Sequence, residues 1–68
     1  MENISEGYVA RDKNGSLFLY EKEPDRDDKY EVFISHDDVN CYEIDADSFP
    51  DVTWETEPRK VEIIIREI

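Results

Sequence analysis

The sequence predicts a small all-β domain, an antiparallel sheet curling into a partly open barrel, with one short helical turn near residues 46–49. Three observations carry this reading. Two apolar runs meet across a strong turn signal in GYVARDKNGSLFLYEKEP, Gly7 to Pro24. Six short segments with strand-like patterning follow one another with turns at short intervals. Several of those segments are apolar on both faces, as in a sheet whose second side is also covered.

Met1 to Glu6 is a polar lead, either a frayed end or the approach to the first strand. Tyr8 to Arg11 forms that strand, and Asp12-Lys13-Asn14-Gly15 supplies Asp at the first turn position and Gly where positive φ is needed. If Asp12 pairs with Ser16, Val9 faces Leu19 and Arg11 faces Leu17, while Tyr8 and Ala10 meet Tyr20 and Phe18. The competing two-residue turn at Asn14-Gly15 would instead set Val9 opposite Tyr20. The first register keeps aromatics with aromatics and is preferred. Glu21 to Lys29 contains Pro24 and dense mixed charge, so it reads as an exposed loop.

A third strand spans Tyr30 to Ser35, with Tyr30, Val32 and Ile34 on one face and Phe33 on the other. His36 to Asn40 is a polar connection. Cys41 to Asp45 is a short fourth strand, after which Asp45-Ala46-Asp47-Ser48 caps the helical turn that Phe49-Pro50 ends. Val52 to Thr56 reads as a fifth strand placing Val52, Trp54 and Thr56 on one side. Pro58-Arg59 turns the chain into a last strand, Lys60 to Glu67, where Val61, Ile63 and Ile65 form a stripe and Ile64 faces the reverse. Trp54, Phe49, Tyr42, Ile63 and Ile65 make the most economical core. That leaves Phe18, Tyr20 and Phe33 on the opposite face, explained equally by barrel closure or by a flatter sheet packing against a partner or a second copy.

Sixty-eight residues make a single domain, 1–68, with a thin core. The lone Cys41 closes no intrachain disulfide, which suits a reducing compartment. The start of the chain lacks a signal-peptide pattern and no segment is apolar enough for a membrane span, so a cytoplasmic protein without membrane contact is expected. Nineteen acidic residues against eight Lys and Arg give a net charge of -11. From Glu21 to Asp51 there are 12 Asp and Glu against three Lys and Arg, so that window holds -9 of the total. Direct nucleic-acid binding is disfavoured, because phosphate contact needs a positive surface.

No motif here names a reaction. The Arg11 to Gly15 turn could present charged side chains to a partner, but turn chemistry, with Asp12 accepting backbone N–H bonds, explains those residues more simply. DKNGS, DRDD and DADS suggest calcium, yet Gly15 falls at the fourth position counting Asp12 as the first, where a calcium loop needs glycine at the sixth, and the other runs contain no glycine, so a calcium loop is not expected. Cys41 and His36, with Asp37 or Asp38 to orient the imidazole, could make a nucleophile and base, but four intervening residues fix no geometry. A non-enzymatic domain with no metal or cofactor is therefore expected. Its partner surface is placed at Phe18, Tyr20 and Phe33 with Asp25, Asp27, Asp28, Asp37 and Asp38. The partner would be an unidentified, basic protein, with a homodimer as a further state.

GYVARDKNGSLFLYEKEP and FPDVTWETEPRKVEI together resemble short uncharacterised proteins of gut Bacteroidetes and their prophages. The shared pattern falls on Tyr8 to Asp12, Lys13, Gly15, Phe49, Pro50 and Val52 to Trp54, and covers about half the chain. The resemblance implies a small β domain of phage or mobile-element origin and carries no chemistry. It also sharpens an alternative: an acidic β scaffold imitating DNA phosphates to inhibit a host nucleic-acid-binding or defence protein. Plain solubility is the simpler use of the same acid.

Overall fold

The computed structural model describes residues 2–35 and 41–66. The architecture is all-β: β1 (Glu2–Arg11), β2 (Leu17–Tyr20), β3 (Asp25–Asp27), β4 (Val32–Ile34), β5 (Cys41–Ile44) and β6 (Arg59–Arg66). Two antiparallel sheets result, one four-stranded in the order β5-β2-β1-β6 and one two-stranded, β3-β4. The larger sheet stays open, since β5 and β6 are its two edges and do not pair with each other.

The hairpin register is the expected one: Val9 opposes Leu19, Ala10 opposes Phe18, and the Asp12 N–H bonds to the Ser16 carbonyl. Gly15 takes φ 97°, a left-handed conformation that glycine enters without steric penalty. β1 begins well before Tyr8, because β6 runs back along it from Val9↔Arg59 to Glu2↔Arg66. β2 pairs with β1 only as far as Tyr20↔Tyr8. Beyond that point, Glu2–Gly7 and Val61–Arg66 continue as a two-stranded ribbon.

Three expectations need correction. The charged stretch after Pro24 is not all loop, for Asp25–Asp27 is a strand paired with Val32–Ile34. Pro24 precedes that strand, where its missing N–H costs no ladder bond. Arg26 lies over Trp54, 4.5 Å from the ring centroid, and donates to the Thr56 carbonyl, so this charged residue packs as an aromatic cover. Val52 to Thr56 is not a strand. Its backbone–backbone hydrogen bonds are local turns, Val52 N–H to the Phe49 carbonyl and Thr56 N–H to the Thr53 carbonyl. No helix forms at 46–49 either: a single turn closes from Ser48 N–H to the Asp45 carbonyl, with the Asp45 carboxylate accepting the Asp47 N–H.

The core is divided between the two faces of the large sheet. On one face Val9 and Leu17 bury Val52, with Leu19, Ile44 and Val61 beside them. On the other, Ala10, Tyr20 and Phe33 pack with Phe18 and Trp54, and the Phe33 and Trp54 rings meet edge-on at 5.3 Å. The 45–58 segment thus serves both faces, Val52 to one and Trp54 to the other. Tyr42, Phe49 and Ile65, expected in the core, are exposed.

Two consecutive residues at the end of β1 fasten these covers. Arg11 donates from Nε to the Val52 carbonyl at 2.7 Å, and its guanidinium reaches the carbonyls of Gly15 at 2.8 Å and Ser48 at 3.1 Å. Buried Asp12 points the other way, its Oδ1 accepting the Phe33 N–H at 2.9 Å.

Removing either side chain leaves buried polar groups unpaired. Arg11→Ala and Asp12→Ala should each lose about 2–3 kcal/mol in urea denaturation. Asp12→Asn keeps an acceptor oxygen and should stay within about 1 kcal/mol of the parent. Gly7→Ala is a second test: a Cβ there would sit 2.8 Å from the Tyr20 carbonyl oxygen and from the Ile63 side chain. The carbonyl cannot move without disturbing the β1–β2 ladder, so a loss of about 1–3 kcal/mol is expected in the same assay.

Candidate interaction surface

The 45–53 strap covers only the hairpin end of its face. Where Val52 stops, the same face continues as Leu19, Tyr42, Ile63 and Ile65, which with Ser5, Glu6 and Glu21 line an open groove of about 510 Å³. Strand alternation explains the composition. Leu19 opposes Tyr42 across β2 and β5, and Ser5 opposes Ile63 across β1 and β6, so the four strands send these side chains to one side. Gly7 sits between them, and its lack of a side chain lets Ile63 lie against β1. Tyr42 and Ile65 remain 50% and 63% exposed. Apolar side chains from four strands held on a rigid ladder can bind an apolar partner; they offer no nucleophile or acid–base pair.

The partner surface expected from sequence does not assemble. Tyr20 and Phe33 are buried and Phe18 packs against them, because the β3–β4 sheet and Trp54 close over that aromatic cluster. Tyr20 and Phe33 are core and unavailable to a partner, and Phe18 is partly covered. Asp27 is half-buried, and its carboxylate accepts the N–H groups of Lys29 and Tyr30, which makes it a local turn former. Asp25 and Asp28 are exposed. Asp37 and Asp38, like His36 of the suggested Cys41–His36 pair, lie outside the described residues. Cys41 is exposed, opposite Tyr20 on the aromatic face.

In the Arg11 to Gly15 turn, Arg11 and Asp12 are spent on the fold, while Lys13 pairs with Glu31. Among the described residues no group of three or more His, Cys, Asp or Glu could hold a metal ion. Glu6 and Glu62 are direct cross-strand neighbours, with Lys60 contacting Glu6 at 2.9 Å. Glu43 also lies on that face by register, whereas Asp45, Asp47 and Asp51 belong to the strap over the opposite one. Among the described residues the exposed carboxylates are thus spread over both faces. No helix among the described residues is long and apolar enough to cross a membrane.

Sequence reading missed Leu19 and assigned Tyr42 and Ile65 to the core. The signal was present in the register, which lines up Leu19, Tyr42 and the terminal isoleucines on one side. What the sequence did not reveal is that the strap ends short of them. Compared with known protein families, with curated proteins and with solved structures, the chain finds no match.

Tyr20 gives the buried face a pH signature. Burial raises its pKa well above the ordinary value, and the negative charges of Asp12 and Cys41 add to the effect. Folding therefore favours the neutral phenol, and the penalty on ionisation grows as pH rises past the unfolded-state value of about 10. Stability should be unaffected by Tyr20 below that pH and fall steadily above it. Ultraviolet titration should show one tyrosine ionising only together with alkaline unfolding, and Tyr20→Phe should abolish that late step.

Proposed function

We propose that this protein is a non-enzymatic, acidic interaction module that docks a protein segment of apolar and basic character in the groove between Tyr42, Leu19, Ile63 and Ile65. The observation that supports it is the groove itself: among the described residues the part of one sheet face beyond Val52 carries no cover, and it is apolar in its walls with Glu21 at its lining, in a chain of net charge -11. Apolar burial would supply affinity, and the negative field would favour basic segments and speed their encounter. Among the described residues the carboxylates are dispersed over both faces, which favours capture of a basic segment over DNA mimicry as the use of the charge. A cytoplasmic setting and a phage or mobile-element origin belong to the same proposal, the latter on the resemblance in YVARDKNG and FPDVTW.

Selection from a displayed random-peptide library against the immobilised protein tests this reading. Enriched peptides should combine large apolar residues with Lys or Arg. Ile65→Lys, at an exposed position, should weaken the best of them at least about tenfold, or 1.4 kcal/mol. Binding should also weaken as salt rises. Enrichment without basic residues, or binding indifferent to Ile65→Lys, would refute the proposal.

A further inference from the structure

We infer that Glu21 is the residue with which the groove selects its partner: its carboxylate receives an arginine or lysine side chain that stands inside an apolar stretch of the bound segment, with apolar residues on either side. The inference rests on the groove being the docking site and names what chooses the occupant there.

The two carboxylates at the groove are not equivalent. Glu6 is already paired with Lys60. Glu21 is exposed and, among the described residues, forms no ion pair. No Lys or Arg among the described residues lines the groove either, so the negative charge of Glu21 has no counterpart within it.

The strand registers place this charge in the middle of the apolar surface. Tyr20 opposes Tyr8, so Glu21 stands level with Gly7. Two residues along β1 in one direction comes the row of Val9, Leu19 and Tyr42, and two in the other comes the row of Ser5 and Ile63, with Ile65 beyond. At about 3.4 Å per residue, Glu21 is about 7 Å along the sheet from each row. Gly7 has no side chain with which to cover it, and the space above Gly7 is taken by the apolar end of Ile63.

That position decides what binds. A purely apolar segment would strip water from a carboxylate and put no donor in its place, which cancels part of the gain from its own burial. An acidic segment adds repulsion. A basic segment lacking apolar residues leaves Leu19, Ile63 and Ile65 as they were. A cation flanked by apolar side chains covers both rows and replaces the lost water with a charge-assisted hydrogen bond, stronger here than on open surface because the flanks exclude solvent. The half-exposed ring of Tyr42 offers the same cation an aromatic face.

Displayed-peptide selection on three proteins, the parent, Glu21→Gln and Glu43→Gln, tests this. Glu43 is exposed on the opposite face, so its variant loses the same unit of charge away from the groove. Peptides taken by the parent and by Glu43→Gln should carry Lys or Arg between large apolar residues. Those taken by Glu21→Gln should keep the apolar residues and lose the basic one. For the best parent peptide, replacing its basic residue with norleucine should weaken binding to the parent about tenfold or more, and to Glu21→Gln less than about twofold. No enrichment on the parent, or enrichment without basic residues, would overturn the groove reading and this inference together. A basic preference that survives Glu21→Gln, that falls equally in Glu43→Gln, or that sets the cation outside the apolar stretch would overturn this inference alone.

Discussion

The fold hangs on the adjacency of Arg11 and Asp12. Alternation along a strand sends neighbouring side chains to opposite faces, so one peptide unit at the end of β1 can address both sides of the sheet. Arg11 collects carbonyls from Gly15, Ser48 and Val52 and holds the strap that buries Val52. Asp12 binds the Phe33 N–H and holds the smaller sheet against Tyr20. A chain this short cannot bury enough surface on one face alone, and fully burying a side chain the size of Val9, Leu17 or Val52 yields only about 1.5–3 kcal/mol. Two thin cores back to back, each pinned by a charge-assisted hydrogen bond, are how the chain gathers enough.

The same turn stabilises the two places among the described residues where the backbone is strained. Glu31 and Phe49 both have positive φ, a costly conformation for residues with a side chain. The Glu31 carbonyl accepts the Lys13 N–H, and its carboxylate pairs with the Lys13 ammonium. The carbonyls flanking and following Phe49 are those that Arg11 gathers. Residues 11–13 therefore set the path of both covers, which explains why both lie at the hairpin end and why the far half of the sheet carries neither.

The hairpin was legible in the sequence because its determinants are local: Asp12 and Gly15 satisfy one turn, and only one register keeps Tyr8 and Ala10 with Phe18 and Tyr20. The last strand and the short strand at Cys41 were legible from alternation. β3 was not, because a strand of Asp-Arg-Asp offers no apolar period. Its inward residue is Arg26, whose packing value comes from Phe33 across the short hairpin and from Trp54, distant in sequence. Val52 to Thr56 misled for the converse reason. It has the composition of a strand, but its backbone–backbone hydrogen bonds are local turns in place of a ladder, and Val52 and Trp54 part to opposite faces. That split transferred Phe18, Tyr20 and Phe33 from the surface to the interior and freed Tyr42 and Ile65 for the groove. The groove was thus written in the strand registers and hidden by the path of a turn.

Charge follows the same division of labour. A dense acidic surface opposes close approach between copies, and the cost falls on any contact that brings two bodies together without local compensation. Compensation exists at β6, where Arg59 lies beside Asp51 and Lys60 beside Glu6 on a strand otherwise rich in isoleucine. Exposed ion pairs of this kind add little to folding stability, so they offset part of the acidic repulsion locally without fastening the fold.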